Sequence, residues 1–131
     1  MIVAYIAHPI SGNVVENLAK VGKIVREINL TEPDVVPFVP YYVDCICMND
    51  NIPYERARGI QNDKHLLESG VVDELRLYGD RISEGMKAEI LLADKLRIPI
   101  VPMRDHMFHE LDQFDLGPFA QNSFKKPETN P

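Results

Sequence analysis

The chain has 131 residues, 45% of them hydrophobic and 26% charged, with a net charge of −6. That length and composition describe one globular domain, and the acidic balance argues against broad binding to nucleic-acid polymers or acidic membranes. No apolar run is long enough to span a bilayer, and Met1-Ile2-Val3-Ala4-Tyr5 lacks a basic stretch ahead of an apolar one, so the expectation is a cytoplasmic protein without a signal peptide.

Ile2 to Ala7 reads as a buried first strand, followed by a turn at His8-Pro9-Ile10-Ser11-Gly12. Asn13 with Glu16 three residues on forms a capping-box pattern ahead of a helix over about 14–29, where Val14, Val15, Leu18, Val21, Ile24, Val25 and Ile28 recur at helical spacing. Residues 35–39 read as a second strand despite Pro37. From Pro40 to Pro53 the pattern is irregular, and a loop of that length in a compact domain is often functional. A helix follows over 54–69, then a strand over 71–78, a helix over 83–96, a strand over 98–101 and a short helix over 105–114. A fifth short strand has room near the end, and the segment from Gly117 reads as a loosely held tail after a single domain over 1–116.

Alternation of strand and helix predicts an α/β fold: a small doubly wound, flavodoxin- or Rossmann-like parallel sheet of four to five strands flanked by helices. Ligands of such folds sit beyond the carboxyl ends of the strands, which points to segments 7–12, 40–53, 79–85 and 102–105. The helix after 79–85 aims its positive N-terminus at the same crevice.

One residue breaks the helical pattern. Winding 83–96 at about 100° per residue gathers Met86, Ile90, Leu92, Ala93 and Leu96 into an apolar arc and puts Glu89 in its middle. An inward carboxylate is costly without partners, so Glu89 is either neutralised structurally or kept for chemistry. Gly85, one turn earlier, removes a side chain where a ligand would approach. Asp63 repeats the anomaly beside Ile60, Leu66 and Leu67, with a surface charge or a partner of Arg56 or Arg58 as the plainer alternative. Paired carboxylates are the usual equipment for work at an anomeric carbon. Tyr5, on the first strand, is either a core phenol or a group that orients a carboxylate. Cys45-Ile46-Cys47 makes no standard zinc site or disulfide framework, and His106 and His109 lack a third metal ligand in sequence. No metal or organic cofactor is expected.

The segment Tyr5-Ile6-Ala7-His8-Pro9-Ile10-Ser11-Gly12 resembles the opening of nucleoside 2-deoxyribosyltransferase-like proteins. So does Ser83-Glu84-Gly85-Met86-Lys87-Ala88-Glu89-Ile90, followed by Ala93 and Arg97-Ile98-Pro99-Ile100-Val101. The run from Asp73 to Met86 looks closer to an uncharacterised phage and bacterial branch, and the resemblance covers roughly residues 2–102. It implies Glu89 as nucleophile, Asp63 as its acidic partner and Tyr5 as the tyrosine that bonds the nucleophile. It further implies a ligand held between His8, Pro9, Ile10 and Ser11 on one side and Gly79, Ser83, Gly85 and Met86 on the other. Ser83 matches a position that is serine in the monophosphate-cleaving members, which favours a phosphorylated substrate. Two positions depart from the pattern: Ser11 stands where those hydrolases carry an arginine, and His8 stands where glycine is usual. The implied activity is cleavage or transfer of the N-glycosidic bond of a (deoxy)nucleoside or its 5′-monophosphate, by a homodimer or larger homo-oligomer. The alternative is a non-catalytic nucleotide-binding or sensor module of the same fold.

Overall fold

The computed structural model describes residues 1–117. In chain order the elements are β1 (Ile2–Ala7), α1 (Val14–Thr31), β2 (Val35–Phe38), α2 (Tyr41–Cys47), α3 (Pro53–Glu68), β3 (Glu74–Leu77), α4 (Glu84–Lys95), β4 (Ile100–Pro102) and α5 (Asp105–Leu111). The fold is α/β, with one parallel sheet of order β2-β1-β3-β4. Both outer strands carry proline within them, Pro37 in β2 and Pro102 in β4. A missing amide donor is tolerated at an edge and hinders pairing with further strands.

Strand alternation distributes the side chains of β1. Tyr5 and Ala7 join the larger core with Tyr41 of α2, Leu67 of α3, Met86, Ile90 and Ala93 of α4, and Met107 and Leu111 of α5. Ala4 and Ile6 point to the opposite face, where Ile28 of α1 covers them. The helix starts follow local chemistry. The Asn13 carbonyl oxygen accepts from the Glu16 amide, and its side-chain NH₂ donates back to the Glu16 carboxylate, a side-chain variant of the expected box. Ser83 caps α4 through Oγ, which accepts from the Met86 amide at 3.3 Å.

Three corrections concern the elements. The stretch 40–53 is not a continuous loop: α2 occupies Tyr41–Cys47. Its seven residues are too few to display a period, and only Tyr41 among them is buried, anchored by a hydroxyl that donates to the Ile6 carbonyl. β3 is shorter than expected, because Val71 is exposed and Val72 enters the core before pairing begins. Among the described residues the sheet has four strands, within the expected four to five. Gly117, expected to begin the tail, donates its amide to both carboxylate oxygens of Asp94 at 3.1 and 3.2 Å, with Leu116 buried beside it. The rest of the expected tail, 118–131, lies outside the described residues.

Candidate functional site

The chain runs from β1 outward to β2, then returns to the other side of β1 to lay down β3. That reversal opens a crevice at the carboxyl ends of β1 and β3, the preferred ligand position of such sheets. A cavity of about 720 Å³ lies there, large enough for a nucleoside-sized molecule. The loop after β1 contributes His8, Ile10 and Ser11, and the loop after β3 with the start of α4 contributes Arg81, Ile82, Ser83, Gly85 and Met86. The side walls are Tyr41 and Cys45 of α2, a stripe of α3 made of Arg56, Ile60, Asp63, Lys64 and Leu67, and Ala88, Glu89 and Leu92 of α4.

Glu89 and Asp63 therefore face one cavity from two helices. Burial pushes the Glu89 carboxyl up to about 8, the nearby Tyr5 hydroxyl opposes that rise, and Asp63 adds to it. Burial and then the neighbouring Asp44 push the Asp63 carboxyl up to about 7. Asp63 Oδ1 is buried and has no hydrogen-bond partner within the protein. Arg56, a candidate partner for Asp63, pairs instead with Asp50 at 3.3 Å, and Arg58 is exposed and outside the cavity lining. Two carboxyl groups in mutual electrostatic reach titrate as a pair, and at neutral pH this pair retains at least part of its protons.

Tyr5 lies wholly inside the core, its ring edge-on to Phe38 and tilted against Tyr41, with centroids 6.2 and 6.0 Å away. Its hydroxyl is close enough to Glu89 to favour the ionised carboxylate, yet no protein acceptor completes a well-formed bond to it. Burial, then Glu89 and Asp63, raise its pKa well above the ordinary phenol value, so it remains a neutral donor. Buried polar groups are nearly always satisfied. Among the described residues, Tyr5 Oη and Asp63 Oδ1 are two such exceptions, and both lie beside the inward Glu89.

The glycines divide by cause. Gly79 adopts φ +96° and a Cβ there would lie 2.6 Å from Pro9 Cδ, so it serves a turn and a close approach inside the protein. Pro9 is fully buried, and neither residue lines the cavity, unlike the other expected ligand-side positions. Gly85 is the reverse case. A Cβ would meet nothing closer than Ser83 Oγ at 4.0 Å. Glycine in a helix costs roughly 0.5–1 kcal/mol relative to alanine, and no packing here requires it, so what it preserves is cavity space.

His8 is buried, and its Nδ1 lies 2.7 Å from the Pro9 carbonyl oxygen. A carbonyl only accepts, so Nδ1 carries the proton; burial lowers the ring pKa and favours the neutral form. Ser11, at the position where a loop arginine was expected by resemblance, donates to Asp50 Oδ2 at 3.1 Å and accepts from Arg56 Nη1 at 3.3 Å. A guanidinium does reach this corner, from the first turns of α3. Sequence reading did not single out Tyr41, Asp44, Asp50 or Lys64. The i, i+4, i+7, i+8, i+11 spacing of Arg56, Ile60, Asp63, Lys64 and Leu67 was the available signal for the α3 wall.

Among the described residues no group of three or more His, Cys, Asp or Glu is placed to hold a metal ion, and no helix is long and apolar enough to cross a membrane. His106 and His109 lie exposed on α5. The chain matches no curated protein and no solved structure. Residues 2–103, which carry every strand and the whole cavity lining, match the model of a domain of unknown function, DUF7768, and the chain belongs to that family.

Proposed function

We propose that the protein cleaves or transfers the N-glycosidic bond of a (deoxy)nucleoside or its 5′-monophosphate, with Glu89 as nucleophile. The observation that carries this reading is the convergence of Glu89 and Asp63 on one cavity, with the Tyr5 hydroxyl buried beside Glu89. Ionised Glu89 attacks the anomeric carbon as the bond to the base breaks, passing through an oxocarbenium-like transition state to a glycosyl ester. The bonding pair goes to the departing base, which receives a proton from Asp63. Water or a second base then displaces Glu89 with overall retention. Tyr5 donates to the Glu89 carboxylate and selects the rotamer that attacks. Ser83 and the backbone amides at the α4 start receive the 5′ end of the sugar. The likeness of the Ser83–Glu89 spacing to nucleoside 2-deoxyribosyltransferase-like proteins supports the same assignment.

The test is release of free base from a panel of deoxynucleosides and their monophosphates, followed by chromatography, with Glu89→Gln as control. Release by the wild type and its loss in the variant are expected. No release from any member, with the variant indistinguishable, would falsify the enzymatic reading.

One observation favours a second reading. A carboxyl pushed up to about 8 is largely protonated near neutral pH, which suits a hydrogen-bonding wall better than a nucleophile. A binding module predicts thermal stabilisation by a nucleoside or nucleotide without turnover.

A further inference from the structure

We infer that the cavity takes a sugar whose 5′ position carries no phosphate, so that the ligand is the neutral nucleoside rather than its monophosphate. This rests on the reading above and chooses between its two substrate classes. It runs against the serine motif and follows from where the charges lie.

Among the described residues the Lys and Arg side chains that line the cavity are Arg56, Lys64 and Arg81, and each already faces an acid: Asp50 at 3.3 Å, Glu68 at 4.0 Å and Asp80 at 3.2 Å. Exposed pairs of this kind are weak singly, but they leave no preformed cationic cradle. The start of α4, where a 5′ group would meet Ser83, carries two more acids. Glu84 occupies the first turn, with its exposed carboxylate bonded to Lys87 Nζ at 3.3 Å. Glu110 reaches across from α5: its Oε1 accepts the Ile82 amide at 3.2 Å, and its Oε2 is buried without a partner. A carboxylate at a helix N-terminus uses the same favourable field that a phosphate would use. Here Glu110 stands beside that approach before any ligand arrives, and a phosphate dianion would be set against its carboxylate in a partly desolvated place.

The second argument comes from the reacting end. Additional negative charge in the cavity favours the protonated form of Glu89 and so removes the nucleophile. A 5′-hydroxyl carries neither penalty. It also matches Ser83, whose Oγ accepts from Met86 and keeps its own proton to donate.

The experiment compares 2′-deoxyadenosine and 2′-deoxycytidine with their 5′-monophosphates on the full chain. The readouts are kcat/KM for base release where there is turnover and Kd by calorimetry where there is none. The nucleosides should be favoured by about tenfold or more. The double variant Glu84→Gln/Glu110→Gln keeps an acceptor for the Ile82 amide. It should move the preference toward the monophosphates by about threefold or more. Wild-type preference for the monophosphates overturns the inference and leaves the glycosidic reading intact, as does a double variant that shifts nothing. Failure of all four compounds to bind or react overturns both.

Discussion

The two faces of the sheet treat buried polarity in opposite ways. On the α1 face, Arg76 of β3 is 7% exposed in its side chain and fully engaged. Its two terminal nitrogens bond the two Glu32 oxygens at 3.0 and 3.1 Å, its Nε bonds Glu74 at 3.1 Å, and Tyr78 adds a contact at 3.5 Å. Burial works against the charge, but these bonds outweigh it and hold the guanidinium ionised. On the opposite face, Glu89, Asp63 and Tyr5 are brought together, and among the described residues the cations that line their cavity pair with other acids. Burial of charge by itself therefore says little about purpose. A charge whose bonds close within the chain is architecture, and one whose bonds stay open toward a cavity is equipment for a ligand.

The largest effect expected from breaking this contrast is on the open side. Glu89→Gln keeps the size of the side chain and removes the proposed nucleophile, and base release should fall by a factor on the order of 10³ or more. Steady-state kinetics on whichever nucleoside is turned over measures it. A loss below tenfold would reassign Glu89 to binding.

On the closed side, Arg76→Ala should act on stability. Removing one partner of a buried pair leaves Glu74 and the partly exposed Glu32 without their cation, at a cost of about 3 kcal/mol. Denaturant midpoints at neutral pH report it. Base release per folded molecule should be unchanged. Equal sensitivity of activity to Arg76 and Glu89 would dissolve the distinction between the faces.

How much of this contrast was legible in the chain depends on how local the signal was. Glu89 and Asp63 stood out because a helix writes its inward face into residue spacing, and a carboxylate on that face is conspicuous. The Asn13 cap and the parallel α/β order were legible from equally local patterns. Leu96, read into the apolar arc, is 37% exposed because it is the C-cap, where α4 ends. Val15, read into the α1 stripe, is 83% exposed. What stayed hidden was set by tertiary contacts. Asp44 bears on Asp63 only because α2 forms and packs on α3. Gly79 and Pro9 were expected at the ligand side because they flank it in sequence; folding turns them against each other instead. Arg76 sits in a strand of four residues where no periodicity predicts that Glu32, from the end of α1, closes over it.

pH sharpens the comparison with an effect of intermediate size. The folded-state pKa values of Glu89 and Asp63, about 8 and about 7, both lie above the ordinary carboxyl range. Between about pH 4 and 8 the native state then holds more protons than the unfolded one, so the stability these groups contribute is present in acid and lost as pH rises through that window. Glu89→Gln removes its share of that slope. The variant should match the wild type near pH 4 and exceed it near pH 9 by on the order of 2 kcal/mol, measured by denaturation at both pH values. Activity has a different dependence. Attack needs Glu89 ionised and protonation of the base needs Asp63 neutral, so the rate should be bell-shaped with its maximum between about 7 and 8.

The smallest expected effect separates two tyrosines that touch each other. The Tyr41 hydroxyl donates to the Ile6 carbonyl, so Tyr41→Phe leaves a buried acceptor unpaired and should destabilise by about 1 kcal/mol without moving the pH profile. Tyr5→Phe removes a buried hydroxyl that no protein group accepts. Stability should hold or rise slightly, since no bond within the chain is lost and a desolvated polar group is gone. The cost should appear in the reaction. Without the group that favours ionised Glu89, the carboxyl titrates at higher pH, the alkaline side of the profile gains relative to the neutral side, and base release at neutral pH falls by roughly tenfold. Denaturation curves and pH–rate profiles of the two variants, run side by side, separate the hydroxyl that holds the sheet from the one held for a ligand. A Tyr5→Phe protein that loses stability as Tyr41→Phe does, with its pH profile unmoved, would place Tyr5 with the architecture.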